Sequence, residues 1–313
     1  MNRGIARRTV FETDLDIRHF LSRVAREVRK DRIELHAYCV LSTHFHLLVR
    51  SPRGELPAAM QSITNEYVRG FNRRRRRDGS LFRGRYCSRP VLSLRYRVLL
   101  VRYIDDNSVD AGLASRASEY PHGSARHHAA ARGPRWITRD WIEEHLRRCT
   151  IADHPPRSYD EVFGRRPSPG QRWLVERRLD CCAGPDDPLD NLVEASPTRV
   201  REWMCRKAAL ADGTRAGIPL VDPMGVEACL AIEAQVRGPW TIELGRNLND
   251  AWLLARIGLL RDLCGTTLEE TALRCGRSHQ YIAKLHGRHR QMLQQDAAYA
   301  DRLAHLAAAL LSE

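Results

Sequence analysis

The sequence predicts an α+β chain, with a small antiparallel sheet packed by helices in its N-terminal part and an all-α remainder. Three observations carry this. Two strand-like runs joined by a short turn, "RIELHAYCVLS" and "HFHLLVRS", sit between two amphipathic helical stretches. A further strand-like run and a third helix follow by about residue 107. From about Asn247 the apolar spacing is cleanly helical to the end.

The first helix is expected over residues 14 to 30, where Ile17, Phe20, Leu21, Val24 and Val28 fall on one face after an acidic start. Residues 33 to 51 read as the hairpin, turning near Ser42 and Thr43. "ELPAAMQSITNEYVRGFNRR" repeats Leu56, Met60, Ile63, Tyr67 and Phe71 at helical spacing. "RYCSRPVL" reads as a strand and "SLRYRVLLVRYIDDN" as the third helix. This order becomes a ferredoxin-like β-α-β-β-α-β domain, an antiparallel sheet with helices on one face, once a first strand is added. Little room exists for that strand: Thr9 to Phe11 supply a stub, or the true start lies upstream.

Three segments are expected: residues 1–130, a mostly helical connecting region over 131–245, and a helical domain over 246–313. Pro, Gly and charged clusters such as "DHPPRS" and "CCAGPDDPLDN" punctuate the middle segment, which also carries the helical pieces "ITRDWIEEHLRRC" and "SPTRVREWMCRKAAL". Nine scattered cysteines without a C-x-x-C pair indicate neither a zinc knuckle nor a disulfide framework. The adjacent Cys181 and Cys182 are read as reduced thiols. No run of 18 apolar residues and no signal-peptide stretch occurs, so a soluble intracellular protein without a membrane partner is expected. The net charge of +13 is concentrated early: residues 1–130 hold 25 Lys and Arg against 13 Asp and Glu. A field of that sign points to a polyanion, with nucleic acid as the leading partner.

Alternate strand residues share a face, so His44 and His46 point the same way with Cβ atoms roughly 6.5 Å apart, close enough for one metal ion. Phe45 and Leu47 then face a core. Tyr103 and Asn107 are stacked one turn apart on the third helix. If that face meets the hairpin, the two histidines and the Asn107 carbonyl hold a divalent cation beside the Tyr103 hydroxyl; Asp106 is a rival third ligand. The segment "FNRRRRRDGSLFRGRY" offers Arg73, Arg74, Arg75, Arg83 and Arg85 for phosphates and Tyr86 for unpaired bases. Near the C-terminus, "TLEETALRCGRSHQYIAKLHGRHR" fits a helix-turn-helix. Ala272 permits close approach, Gly276 allows the turn and Ser278 caps a second helix anchored by Ile282 and Leu285. That helix presents His279, Gln280, Tyr281, Lys284 and Arg288.

The pieces "HAYCVLSTHFHLLV", "FNRR", "GSLFRGRY", "RYIDDNSVDAGL" and "EYPHGS", in this order over roughly residues 1 to 130, resemble the REP-associated tyrosine transposases, a branch of the single-tyrosine HUH endonucleases. The resemblance implies Tyr103 as nucleophile, His44 and His46 as the metal-binding pair with magnesium or manganese, and cleavage of hairpin-bearing single-stranded DNA. It also implies a 5′-phosphotyrosine intermediate and repetitive extragenic palindromes as targets in the nucleoid of a bacterial cytoplasm. Thr43 stands where the family commonly has Asn, and "NSVDAG" stands where it has "NPVRAG". The C-terminal part is similar to the C-terminal domain of the bacterial replication initiator, which implies duplex DNA binding. Two other readings stay open: a regulator that binds DNA without cutting it, and a metal-dependent hydrolase that attacks with water.

Overall fold

A computed structural model describes residues 1–149, 158–179, 192, 196–210, 219–244 and 247–311. The chain forms two compact units, Met1–Pro167 and Ser168–Glu313. The adjacent Cys181 and Cys182 lie outside the described residues, as does most of "DHPPRS", and no disulfide joins the described cysteines. No described helix is long and apolar enough to cross a membrane.

The first unit is built on a three-stranded antiparallel sheet of order β1-β3-β2, from β1 (Asn2–Arg3), β2 (Glu34–Val40) and β3 (His44–Arg50). The β2 and β3 strands pair Cys39 with His46 and Val40 with Phe45. The stub strand is Asn2–Arg3, opposite Phe45 and His44, and not Thr9–Phe11. Val10 and Phe11 instead direct both backbone N–H groups at the Ser42 carbonyl, at 2.8 and 3.0 Å, and so fasten the hairpin turn. "RYCSRPVL" does not form a regular strand either. With only two residues in β1, the adjoining chain has little ladder to follow. It makes isolated bonds, from Arg83 N to Arg3 O and from Cys87 N to Met1 O, both 2.9 Å, and Pro90 has no N–H to extend them.

One sheet face is packed by α1 (Asp14–Arg29) and α2 (Leu56–Arg74). Phe11, Phe20, Phe45, Tyr67, Phe71 and Phe82 form its aromatic core, with Phe20 and Phe45 centroids 4.6 Å apart. The opposite face also carries buried side chains, Ala37, Cys39, His46 and Leu48, and it is covered by α3 (Leu94–Asp110). Helices on both faces therefore replace the expected one-sided packing, because a sheet with two apolar faces needs cover on both. Beyond α3, the chain runs along the outer edge of β2: Val40 N donates to His122 O (3.1 Å), Ser124 N to Tyr38 O (2.9 Å) and Thr138 N to Leu35 O (2.8 Å). The short helices α4 (Ala125–Ala129), α5 (Asp140–Arg148) and α6 (Tyr159–Val162) complete this unit.

The second unit holds α7 (Pro169–Leu179), α8 (Pro197–Leu210), α9 (Pro223–Arg237), β4 (Thr241–Leu244), β5 (Asn247–Asp250), α10 (Ala251–Asp262), α11 (Leu268–Cys275), α12 (His279–Gln295) and α13 (Ala297–Leu310). The helix expected from Asn247 begins at Ala251. Residues 247 to 250 pair with β4, and Asp250 caps α10 by accepting from Trp252 N at 2.9 Å. The core of this unit contains His289, whose Nδ1 meets Tyr299 Oη at 2.9 Å. Gly258 makes room for its ring, since a Cβ there would lie 2.1 Å from His289 Cε1. Thr267 and Glu270 form a capping box on α11, Gly276 turns the chain with φ +60°, and Ser278 accepts from Tyr281 N at the start of α12. Ile282 and Leu285 are buried, as expected of anchors.

Asp16, 1% exposed, ties α1 to the end of α2. It accepts from Thr13 N in the α1 capping box and from Arg74 (3.0 Å) and Arg75 (2.6 Å). Burial alone would raise its pKa, but hydrogen bonds from Arg75 and Arg74 outweigh this and hold the carboxyl below its usual 3.8. The folded state therefore binds this proton less readily than the unfolded chain. Its stabilisation is present above the unfolded value and is lost as pH falls through the lower, folded one. Asp16→Ala is expected to cost about 2–4 kcal/mol of unfolding free energy at pH 7, and to flatten the loss of stability below about pH 4. Urea titrations from pH 7 to pH 3 read both effects; an unchanged midpoint would show that the pairing contributes nothing net.

Candidate active site

The period of two along β3 separates its side chains. Phe45 enters the aromatic core, while His44 and His46 project toward α3. The two imidazole rings stand nearly perpendicular, with centroids 5.1 Å apart. Thr43 Oγ1 meets His44 Nδ1 at 2.9 Å and fixes the ring's rotation. Burial, together with the charge of Arg3, lowers the His44 pKa to about 4, partly countered by a hydrogen bond to Asn107. The ring is thus neutral at physiological pH, the form with a lone pair to give.

The α3 helix starts at Ser93, whose side chain caps Tyr96 N at 3.1 Å, and buries Leu99, Val101, Tyr103 and Ile104. Tyr103 and Asn107 share one face. The Tyr103 ring, 4% exposed, meets His46 edge to face with centroids 5.4 Å apart. Asn107 Nδ2 donates back to Tyr103 O at 2.5 Å, and the same side chain hydrogen-bonds the His44 ring. The amide oxygen Oδ1 is the atom of this side chain with lone pairs to offer a cation. The four residues therefore converge: two imidazoles, an amide oxygen and a phenol.

Asp106 is not part of this group. Its Oδ1 receives Arg166 Nε at 2.7 Å, and Arg166 also reaches Asp110 at 3.2 Å, so the rival ligand is engaged elsewhere. Asp105 accepts from Tyr159 Oη at 2.7 Å, and burial pushes its pKa up to about 7. Among the described residues no three His, Cys, Asp or Glu side chains are placed to hold a metal ion. A cation here would be bound by His44, His46 and Asn107 Oδ1. Two borderline nitrogens and one hard oxygen suit manganese or magnesium and leave positions for phosphate and water.

The arginines divide by role. Arg74 and Arg75 are tied to Asp16, and Arg75 also lies 4.0 Å over the Phe71 ring, whereas Arg73, Arg83 and Arg85 are exposed. Tyr86 packs partly against the core. Sequence reasoning missed Arg3, which the β1 register sets opposite His44, and the orienting role of Thr43. A two-residue strand leaves no periodicity from which to find Arg3; Thr43 reads in sequence only as a turn residue and as a departure from the family's Asn. In the second unit, His279, Gln280, Tyr281 and Lys284 are exposed on α12, Arg288 is half-buried, and Ser278 serves as the cap.

Neither a curated protein nor a solved structure gives a match to the chain. A family model described as "Transposase IS200 like" matches residues 1–107, about a third of the chain. This match supports transposase or DNA endonuclease activity in general. His44, His46, Tyr103 and Asn107 all fall within the segment similar to IS200-like transposases, and the match ends on Asn107 itself.

Proposed function

We propose that the first unit is a metal-dependent nicking and strand-transfer enzyme of the REP-associated tyrosine transposase type, acting on hairpin-bearing single-stranded DNA. The observation that carries this is the convergence of Tyr103, His46, His44 and Asn107 inside the segment similar to transposases.

Tyr103 Oη attacks the scissile phosphorus and the P–O3′ bond breaks. The 5′-phosphate becomes esterified to the phenol, which gives up its proton, and the 3′ oxygen takes up one. One phosphodiester replaces another, so a new 3′-hydroxyl can reverse the step and rejoin strands without an external energy source. A phenol of pKa near 10 needs help at neutral pH, and a magnesium or manganese ion held by His44, His46 and Asn107 would supply it by drawing charge from the phosphate. Thr43 and Asn107 position the His44 ring, and Arg3, opposite His44, adds positive charge where a phosphate would lie. The ferredoxin-like reading of this unit draws on the sheet order and the α1–α2 layer. In the second unit, α11, the Gly276 turn and α12 support a helix-turn-helix that reads duplex DNA through Gln280, Lys284 and Arg288.

The test mixes the protein with manganese and a labelled hairpin bearing an unpaired flank, then resolves products on a denaturing gel. Wild type is expected to form a covalent protein–DNA adduct, and Tyr103→Phe to lose it by about 1,000-fold or more. Cleavage that survives Tyr103→Phe would identify a hydrolase using water; tight binding without adduct would identify a DNA-binding regulator. Thr43→Val is expected to raise the manganese concentration for half-maximal adduct about 10- to 100-fold, since it frees the ring of a metal-binding histidine. An unchanged titration would remove Thr43 from the site.

A further inference from the structure

From Tyr120 to Arg139 the chain carries four arginines and three histidines, with no Asp or Glu. This stretch lies beyond residue 107, where the family model's match ends. It forms the basic strap along the outer edge of β2. Between the strap and α1 is a groove of about 480 Å³, within the range of roughly 300–1,000 Å³ that holds small ligands. Tyr38 and Trp136 line it with ring centroids 5.8 Å apart and planes tilted by 34°. His127 adds a third flat ring; burial, then the charge of Arg126, lowers its pKa and favours the neutral imidazole. Gly133 lets the chain pass close behind that ring, where a Cβ would lie 2.9 Å from His127 Cβ. Arg18, from α1, and Arg126, from the strap, are exposed at the groove, and Arg126 hydrogen-bonds Pro121 O at 3.3 Å. Asp14 is the single acid in the lining, and its carboxylate is taken up by His122 Nε2 at 3.0 Å.

We infer that this groove holds an unpaired nucleotide flanking the DNA hairpin, its base against Trp136 and His127, with the buried Tyr38 ring backing Trp136, and its phosphates on Arg18 and Arg126. Aromatic faces stack on any base, and guanidinium groups grip the backbone, so the combination favours a single strand. A duplex offers no free base face, and an acidic peptide leaves the Trp136 and His127 rings unused. Tyr38 directly precedes Cys39, the ladder partner of His46, but points to the α1 side of the sheet. The groove therefore lies across the thickness of the sheet from the histidine pair, and holding the strand is separate from cutting it. This inference rests on the single-stranded DNA reading above, but not on the chemistry of Tyr103.

Fluorescence anisotropy with a labelled hairpin carrying an unpaired flank of about ten nucleotides tests it, on the full chain and without metal. The double variant Arg18→Gln/Arg126→Gln is expected to bind about 10-fold more weakly, with a log–log salt slope shallower by about 1.4, as two phosphate contacts to a single strand require. Trp136→Leu should weaken binding about 10- to 100-fold. Removing the flank should abolish both differences. Arg147→Gln, on the exposed end of α5, should bind like wild type. Equal losses in Arg147→Gln, or no loss in the double variant, would overturn the groove. At saturating DNA with manganese, the double variant should still form the Tyr103 adduct. Flank-dependent loss with no adduct from any protein would keep the groove and defeat the nicking reading, whereas wild type that ignores single strands would defeat both.

Discussion

The side-chain alternation of β3 is the constraint on which the rest depends. Phe45 is pinned in the aromatic core by Phe20, Phe11 and Phe82, and it stands between two imidazoles that point the other way. A register slip of one residue would put both histidines into that core and Phe45 among polar groups. It would forfeit about 2–3 kcal/mol of phenylalanine burial and add the cost of unpartnered imidazoles. The packing on one face therefore sets the position of the candidate ligands on the other. Little of the precision of the site needs to come from the site itself.

A similar economy governs the arginines. The run from Arg73 to Arg77 reads in sequence as a uniform basic patch, yet Arg74 and Arg75 are drawn to Asp16, and Arg75 also covers Phe71. A carboxylate that is buried must be paired, and the nearest helix end supplied the cations. The charge left to face a polyanion is correspondingly smaller than the formal count, and it shifts toward Arg73, Arg83, Arg85 and Arg3.

Long periodic elements were legible: α1, α2, α3 and the β2–β3 hairpin stand where apolar spacing puts them, because each buries a continuous stripe. The pairing of Tyr103 with Asn107 was legible for the same reason, since helical geometry fixes residues four apart. The short and non-local features were hidden. Asn2–Arg3 is too short to show a period, and its role exists only through pairing with β3. The β5 strand was read as the start of a helix because Asn247 to Asp250 directly precede the strong apolar run of α10, and pairing with β4 overrode the neighbouring pattern. The cover on the second sheet face entered only as a condition, that the Tyr103 face of α3 meet the hairpin, because burial of Ala37, Cys39 and His46 follows from where α3 docks, which no local window contains.

What lies beyond residue 107 bears directly on the candidate site. The compact unit continues to Pro167, and its added residues bind the elements that carry the histidines and the tyrosine. Tyr120 Oη donates to Val40 O at 2.8 Å, just before the turn that leads to His44, and His128 Nε2 meets His36 O at 2.9 Å. Arg166 holds Asp106 and Asp110 on the last turns of α3, and Arg102, on the same helix, donates to Val162 O at 3.0 Å. The α3 helix is thus clamped on its outer side by residues 158–166 while its inner side presents Tyr103 and Asn107 to β3. A core that ended at residue 107 would leave the buried Asp105 without the Tyr159 hydroxyl and would take Arg166 from Asp106, so two buried acids on the helix would lose hydrogen-bond partners. Residues 108–149 and 158–167 therefore belong to the same packed unit as the candidate site, and the basic strap is carried there by the packing that holds the tyrosine helix in place.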